Sequence, residues 1–224
     1  HHPEPTITAE IIISEPGLSS TAELVFELIS QLEGKEIVDP VIVESLYVGM
    51  MTDTGNFNFG TFDGETLRNV SKMLDTGLRK DYITNQIYNN FSANRMRLLG
   101  FALAERMVVL PNYHSAYIYL SINDLDRFNY CMGDTEGFVN LPLSIDGIVF
   151  SVLFTENDNH IKLSLRSKGA FRVNEFSADH FNGGGHKNAS GGKSSLDLND
   201  CLAYFESLLP KYQKKLATSM DQTD

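Results

Sequence analysis

The chain has 224 residues, 42% apolar and 21% charged, enough for one large domain or two small ones. Its Gly 17 and Pro 7 exclude a collagen-like or low-complexity chain. Lys+Arg 18 against Asp+Glu 29 gives a net charge of −11, which argues against a protein that grips long nucleic acid non-specifically. An anionic ligand would have to be short and held by a few placed cations or metals.

The residues up to Ile13 end in ITAEIII and predict a strand. Ser20-Thr21-Ala22-Glu23 has the spacing of a capping box and opens a helix, with Leu24, Val25, Leu28, Ile29 and Leu32 at helical spacing until Gly34. Asp39-Pro40 starts a second helix that runs to about Met51 and delivers Thr52-Asp53-Thr54-Gly55 into a loop. Asp63-Gly64 opens a third helix, closed by Gly77, and a fourth runs from Asp81 to about Asn90. Residues 91–112 read as a helical linker, with one helical stretch from Arg95 to Leu110. From Ser115 the pattern turns to β. Ala116–Ile122 is one strand, and Ile148–Phe154 with His160–Ser167 form a hairpin around Glu156-Asn157-Asp158-Asn159. Alternation places Lys162, Ser164 and Arg166 on one strand face, Leu163 and Leu165 on the other. Val173 to Asn182 predicts a short helix broken by Gly183-Gly184-Gly185. A last amphipathic helix covers Asp200 to about Lys214, and the tail after Leu216 is expected to fray.

The longest apolar runs, such as Ile11–Ile13 and Val108–Leu110, fall far short of the ~20 residues that span a bilayer. The opening HHPEPTITAE lacks the basic and apolar regions of a signal peptide. Cys131 and Cys201 have no CxxC partner, which excludes zinc-thiolate sites. Two isolated, buried thiols suit a reducing compartment and a cytoplasmic protein.

Four features could carry chemistry. In Gly183-Gly184-Gly185-His186-Lys187 the glycines let backbone N–H groups approach a ligand, and the cations that follow suit a phosphate. There is no Walker spacing. Asp53, before Thr54-Gly55, reads as a metal ligand or as a cap on its own backbone. Arg166 beside Lys162 could clamp a phosphate or simply be solvated. His1-His2-Pro3 by itself looks like the remnant of an affinity tag. His114, His160 and His180 read as structural, Phe57 and Phe59 as core. Asp134-Thr135-Glu136-Gly137 is an acidic turn that either approaches substrate or connects elements.

Taken in order, His-His-Pro, Ser-Ser-Thr-Ala-Glu, Met-Thr-Asp-Thr-Gly, Thr-Glu-Gly, Leu-Arg-Ser-Lys-Gly and Gly-Gly-Gly-His resemble the DHH phosphoesterase superfamily with its DHH-associated C-terminal domain, of the nano-RNase type. The resemblance runs from His1 to about Tyr212. It implies an α/β fold of two lobes. Residues 1–90 would be the C-terminal remainder of a parallel-sheet DHH domain and 91–112 a helical linker. Residues 113–216 would be a smaller mixed-sheet substrate-binding domain, and 217–224 a tail. It implies two Mn²⁺ ions, with His1 and Asp53 as metal ligands and His2 as a catalytic contact to the reacting phosphate. Arg166, Gly183, Gly184, Gly185 and His186 would hold substrate phosphate across a cleft, and Thr135 and Glu136 match a motif without an assigned role. The Asp that precedes His-His in the family and the upstream ligands have no counterpart here. Two protein ligands do not make a tight dinuclear site, so this stretch alone is expected to be inactive. The expected activity is metal-assisted hydrolysis of short oligonucleotides to 5′-mononucleotides and of 3′-phosphoadenosine-5′-phosphate. The rivals are an exopolyphosphatase-like or cyclic-dinucleotide hydrolase and a non-catalytic nucleotide-binding module. Expected partners are short RNA or DNA oligonucleotides or a nucleoside bisphosphate and, in a homodimer, a second copy of the chain; no membrane is expected.

Overall fold

The computed structural model describes residues 8–33, 39–58 and 62–221. The chain divides into two compact units, 1–90 and 91–224.

Local backbone chemistry accounts for the helices of the first unit: α1 (Thr21–Glu33), α2 (Pro40–Asp53), α3 (Gly64–Asp75) and α4 (Lys80–Tyr88). Ser20 Oγ accepts from Glu23 N at 3.1 Å, satisfying a first-turn donor of α1. Glu23 itself reaches back one residue further than a simple capping box, accepting from Ser19 N at 2.9 Å and Ser19 Oγ at 2.6 Å. Glu23 is fully buried, and Asn69 of α3 donates to it at 3.3 Å, so the cap also ties α1 to α3. Asp39 caps α2 by accepting from Val41 N, and Asp63 with Thr66 forms the capping box of α3. Val43, Tyr47, Met50, Met51 and Met73 fill the core of this unit.

The strand expected at the start of the chain is not formed among the described residues. Ile11, Ile12 and Ile13 are 79%, 45% and 47% exposed in a segment without regular structure. β-rich sequence becomes a strand only when a neighbouring strand takes its N–H and C=O groups, and the described part of this unit contains no strand to do so. The parallel sheet expected of the first lobe is therefore absent from its described residues.

The second unit begins with α5 (Ala93–Glu105), capped by Ser92 Oγ accepting from Arg95 N. The single helical stretch expected to Leu110 ends here. Met107–Leu110 is instead strand β1, paired antiparallel with β2 (Ser115–Leu120) around a 3-10 turn at Pro111–Tyr113. β-branched Val108 and Val109 suit a pleated ladder, and tertiary pairing overrides the helical spacing that precedes them. The end of the expected linker thus belongs to the sheet.

β2 leads through α6 (Ile122–Arg127) and a 3-10 helix (Phe138–Ser144) to β3 (Phe150–Asn157), parallel to β2. A crossover of this length is what a parallel pair needs. β3 and β4 (His160–Ser167) form the expected hairpin, with the loop narrowed to Asp158-Asn159 because Asn157 pairs with His160. α7 (Val173–Phe181) follows as expected. The glycine segment then forms β5 (Gly184–His186) and β6 (Ala189–Ser194), a hairpin for which the sequence predicts no strand. β6 pairs with β4, giving a six-stranded mixed sheet in the order β1-β2-β3-β4-β6-β5.

α8 (Leu198–Met220) covers the sheet and runs past Leu216, where fraying was expected. Leu216 and Ser219 are fully buried. Ser219 Oγ donates to Lys168 O at 2.7 Å and accepts from Phe171 N at 3.1 Å, so the end of the helix is docked. One sheet face packs Phe150, Val152, Phe154, Leu163 and Leu165 against α7 and α8. On the other face, Ile118, Leu120 and Leu153 pack against Leu98 and Ala102 of α5, Leu125 of α6, and Phe138 and Val139 of the 3-10 helix. Both cysteines are free, but only Cys201 is buried; Cys131 is exposed, contrary to expectation.

Candidate functional site

Strand register decides which side chains share the second sheet face. Ser151 pairs with Arg166, Arg166 with Ala189, and Ala189 with His186, so one row crosses β3, β4, β6 and β5. Directly opposed residues point to the same side, so Arg166 and His186 share a face two strand spacings apart, about 10 Å. The next row is Leu153, Ser164, Gly191 and Gly184; the one after it is Thr155, Lys162 and Lys193. The helices that cover this face at β2 and β3 pack on Ile118, Leu120 and Leu153, whereas Lys162, Lys193, Gly184 and His186 are exposed. The result is a shallow trough. Its floor is Ser164, Gly191 and Gly184, and its rim is Arg166, His186, Lys162 and Lys193.

Two lysines directly opposed across a ladder repel each other. Lys162 and Lys193 form such a pair. A chain with a net charge of −11 concentrates cations here, as a site for a small anion requires. Arg166 is half-buried on the strand and donates to Leu165 O at 2.9 Å. Burial pushes its pKa below the ordinary guanidinium range, and the Glu136 charge opposes that shift. The buried hydroxyl of Ser151, next to Arg166 in its row, has no hydrogen-bond partner among the described residues.

The glycines divide by role. A Cβ on Gly183 would collide with Gly191 O, and Gly185 sits at φ +146 with its Cβ position 2.6 Å from Ala189 O. These two residues let the hairpin turn tightly and lie against the neighbouring backbone. Gly184 meets nothing within 4 Å, and it shares the floor row with Gly191. Of the three glycines expected to bind phosphate, only Gly184 keeps open space toward the trough. His186 stands at the outer end of the Arg166 row.

Asp53 lies in the other unit, exposed, as the last residue of α2 rather than in a loop. The chain turns sharply after it. Gly55, Asn56 and Phe57 have φ of 54, 60 and 59. Left-handed backbone costs about 1–2 kcal/mol at each non-glycine residue. Buried Thr54 holds the turn, its Oγ1 donating to Met50 O at 2.7 Å and accepting from Phe57 N at 3.0 Å. Phe57 packs on the core of its unit, 6.3 Å from Tyr47 between ring centroids. His1, His2 and Phe59 lie outside the described residues. Among the described residues no three His, Cys, Asp or Glu side chains come together to hold a metal ion.

Two of the other histidines have polar partners within their own unit. His114 Nδ1 lies 3.0 Å from Gly147 O, and His180 Nε2 lies 2.7 Å from Tyr212 Oη. The sequence reading missed Lys193 and Ser151, which enter the trough only through register. It also left Glu136 without a role. The alternation in Ser190-Gly191-Gly192-Lys193-Ser194 was the available signal, but glycine masks it, having no strand propensity of its own.

Residues 113–211 match the family model of the DHHA1 domain. Over 218 residues the chain is 29% identical to the bifunctional oligoribonuclease and PAP phosphatase NrnA of Bacillus subtilis, covering 95% of this chain and 67% of that protein. It is 27% identical over 220 residues to the protein of the same name from Thermus thermophilus, covering 96% and 63%. Among solved structures, an exopolyphosphatase-related protein from Bacteroides fragilis superposes with a TM-score of 0.92 at 42% identity, covering 97% of this chain and 64% of that one. The chain spans about two thirds of the length of these relatives. With a DHHA1 domain matched in its second unit and NrnA-named relatives along its length, the chain is similar to the DHH phosphoesterases of the nano-RNase type.

Proposed function

We propose that this chain is the substrate-recognition part, with some of the metal-binding part, of a phosphoesterase acting on nucleotides. Its substrates would be short oligonucleotides, hydrolysed to 5′-mononucleotides, and 3′-phosphoadenosine-5′-phosphate. The observation that carries this reading is the trough. Arg166, His186, Lys162 and Lys193 ring a floor of Ser164, Gly191 and Gly184 on an otherwise acidic chain. It measures about 10 Å across the strands and about 13 Å along them from Arg166 to Lys162, the scale of one nucleotide rather than of a long strand. Arg166 offers a planar fork to phosphate oxygens, and Lys162 and Lys193 supply point charges for a second anionic group. Fixing one end of a short substrate so that its scissile phosphate is presented elsewhere lowers the barrier by orientation. The names of the two NrnA relatives support the same substrates.

Mn²⁺ is the proposed metal, with Asp53 and His1 as ligands and His2 beside the reacting phosphate. A polyphosphate substrate is the second reading, favoured by the name of the Bacteroides relative. The test is an assay of the complete protein, with and without Mn²⁺, on di- to pentaribonucleotides, 3′-phosphoadenosine-5′-phosphate and polyphosphate. Mn²⁺-stimulated release of mononucleotides is expected. Turnover of polyphosphate without nucleotide release overturns the proposal. His186→Ala should raise KM for the nucleotide and leave the Mn²⁺ requirement unchanged; an unaltered KM removes His186 from the site.

A further inference from the structure

The turn Gly133–Gly137 is held far more firmly than a connector needs. Arg95 of α5 donates from Nη1 to Gly133 O at 2.9 Å and to Asp134 O at 2.6 Å, and from Nη2 to Glu136 O at 2.9 Å. Its guanidinium stacks 4.0 Å from the Phe91 ring centroid and 5.5 Å from that of Phe138. The turn closes on itself, with Glu136 N donating to Gly133 O at 2.9 Å and Asp134 Oδ2 accepting from Cys131 N at 2.8 Å. Its far end is anchored by Phe138, 1% exposed and packed on Leu153 and Ile118 of the trough's sheet face. What this scaffold presents is the exposed carboxylate of Glu136, two residues before the 3-10 helix that packs on Leu153 and contacts β4, the strand of Arg166; its charge opposes the loss of the Arg166 charge. The buried hydroxyl of Ser151, unpartnered among the described residues, lies beside Arg166 in the same row.

A carboxylate beside an arginine is the wrong lining for a ligand that is phosphate throughout. Both carboxylate and phosphate oxygens only accept hydrogen bonds, and both are negative. It is the right lining for a ligand with a phosphate at one point and neutral donors a few ångströms away. Nucleotides have that pattern, through their sugar hydroxyls and base amines. We propose that Glu136, positioned by Arg95, is a specificity-determining residue of the trough. It accepts hydrogen bonds from the neutral donors of a nucleotide whose phosphate is held by Arg166, and it disfavours chains made of phosphate alone. Arg95 is a positioning residue in this scheme. The inference rests on the nucleotide reading above and goes beyond it in naming what separates nucleotide from polyphosphate.

The test is calorimetric titration of the full chain with two probes, 3′-phosphoadenosine-5′-phosphate and tripolyphosphate. Glu136→Gln keeps size and exposure while removing the charge. It should weaken the nucleotide about tenfold or more, the usual loss when a hydrogen bond to a charged group goes, and leave tripolyphosphate unchanged or tighter. Arg95→Met should move the ratio of the two affinities in the same direction, with Arg95→Lys between it and wild type. A ratio unchanged in Glu136→Gln, or an equal fall for both probes, overturns the assignment while leaving the nucleotide reading intact. A wild-type chain that binds tripolyphosphate but not the nucleotide overturns both.

Discussion

His180 shows how one side chain carries a measurable consequence of its surroundings. On α7 it meets the Tyr212 hydroxyl at 2.7 Å and the Tyr204 hydroxyl at 3.5 Å, with the Phe176 ring centroid at 5.1 Å. Burial holds its pKa below 6.5; the Asp179 charge opposes this and the Lys211 charge assists it. The unfolded chain therefore binds the proton first as pH falls. Stability from this group is complete above about pH 6.5 and is lost as pH drops toward the lower folded value. The melting temperature, followed from about pH 7 to pH 5, should fall less steeply in His180→Gln than in wild type. Parallel profiles would show that His180 does not titrate with folding. Arg166 makes the opposite point at the same scale: alternation in the sequence gives its strand face, but not that Ser151 and His186 share its row.

At the scale of elements, the β5–β6 hairpin is the part most dependent on glycine, and its glycines are not equivalent. Gly185→Ala would place a methyl 2.6 Å from Ala189 O at φ +146, and Gly183→Ala would force one into Gly191 O. Each should destabilise the chain by about 1–3 kcal/mol or more in denaturant titration. Gly184→Ala has open space at its Cβ and no positive φ. It should melt with wild type and yet weaken the bisphosphate nucleotide, because its methyl projects into the trough. If Gly184→Ala binds as wild type does, the floor is not in contact with ligand. The helices needed no such help. Asp39, Asp63, Ser92 and Asp197 each cap a helix from within three residues, a range that sequence reading covers.

For the whole molecule, the division near Asn90 has an energetic meaning. Residues 91–224 own two apolar clusters, one on each face of their sheet, while Val43, Tyr47, Met50 and Met73 serve only the first unit. A unit with its own core can fold alone. A fragment of residues 91–224 should therefore show cooperative thermal unfolding and retain nucleotide binding in the full chain's range. A fragment without dispersed amide signals in NMR would show that the first unit is required for its folding.

Local chemistry reaches about four residues along the chain, so the sequence by itself determined the starts of α1, α2, α3 and α7, the β3–β4 hairpin, the alternation of Lys162 and Arg166, and the α/β class. Pairing between distant segments lies beyond that reach. It turned Met107–Leu110 from the end of a helix into a strand, and it made strands of a glycine run with no β propensity of its own. It also docked the end of α8 through Ser219 and left Ile11–Ile13 unpaired. The trough is a product of the same pairing, since Lys193 faces Lys162, and His186 joins the row of Arg166, only once register is fixed. Tertiary structure alone decided these features because a ladder is stabilised by both of its strands, and neither strand's sequence specifies its partner.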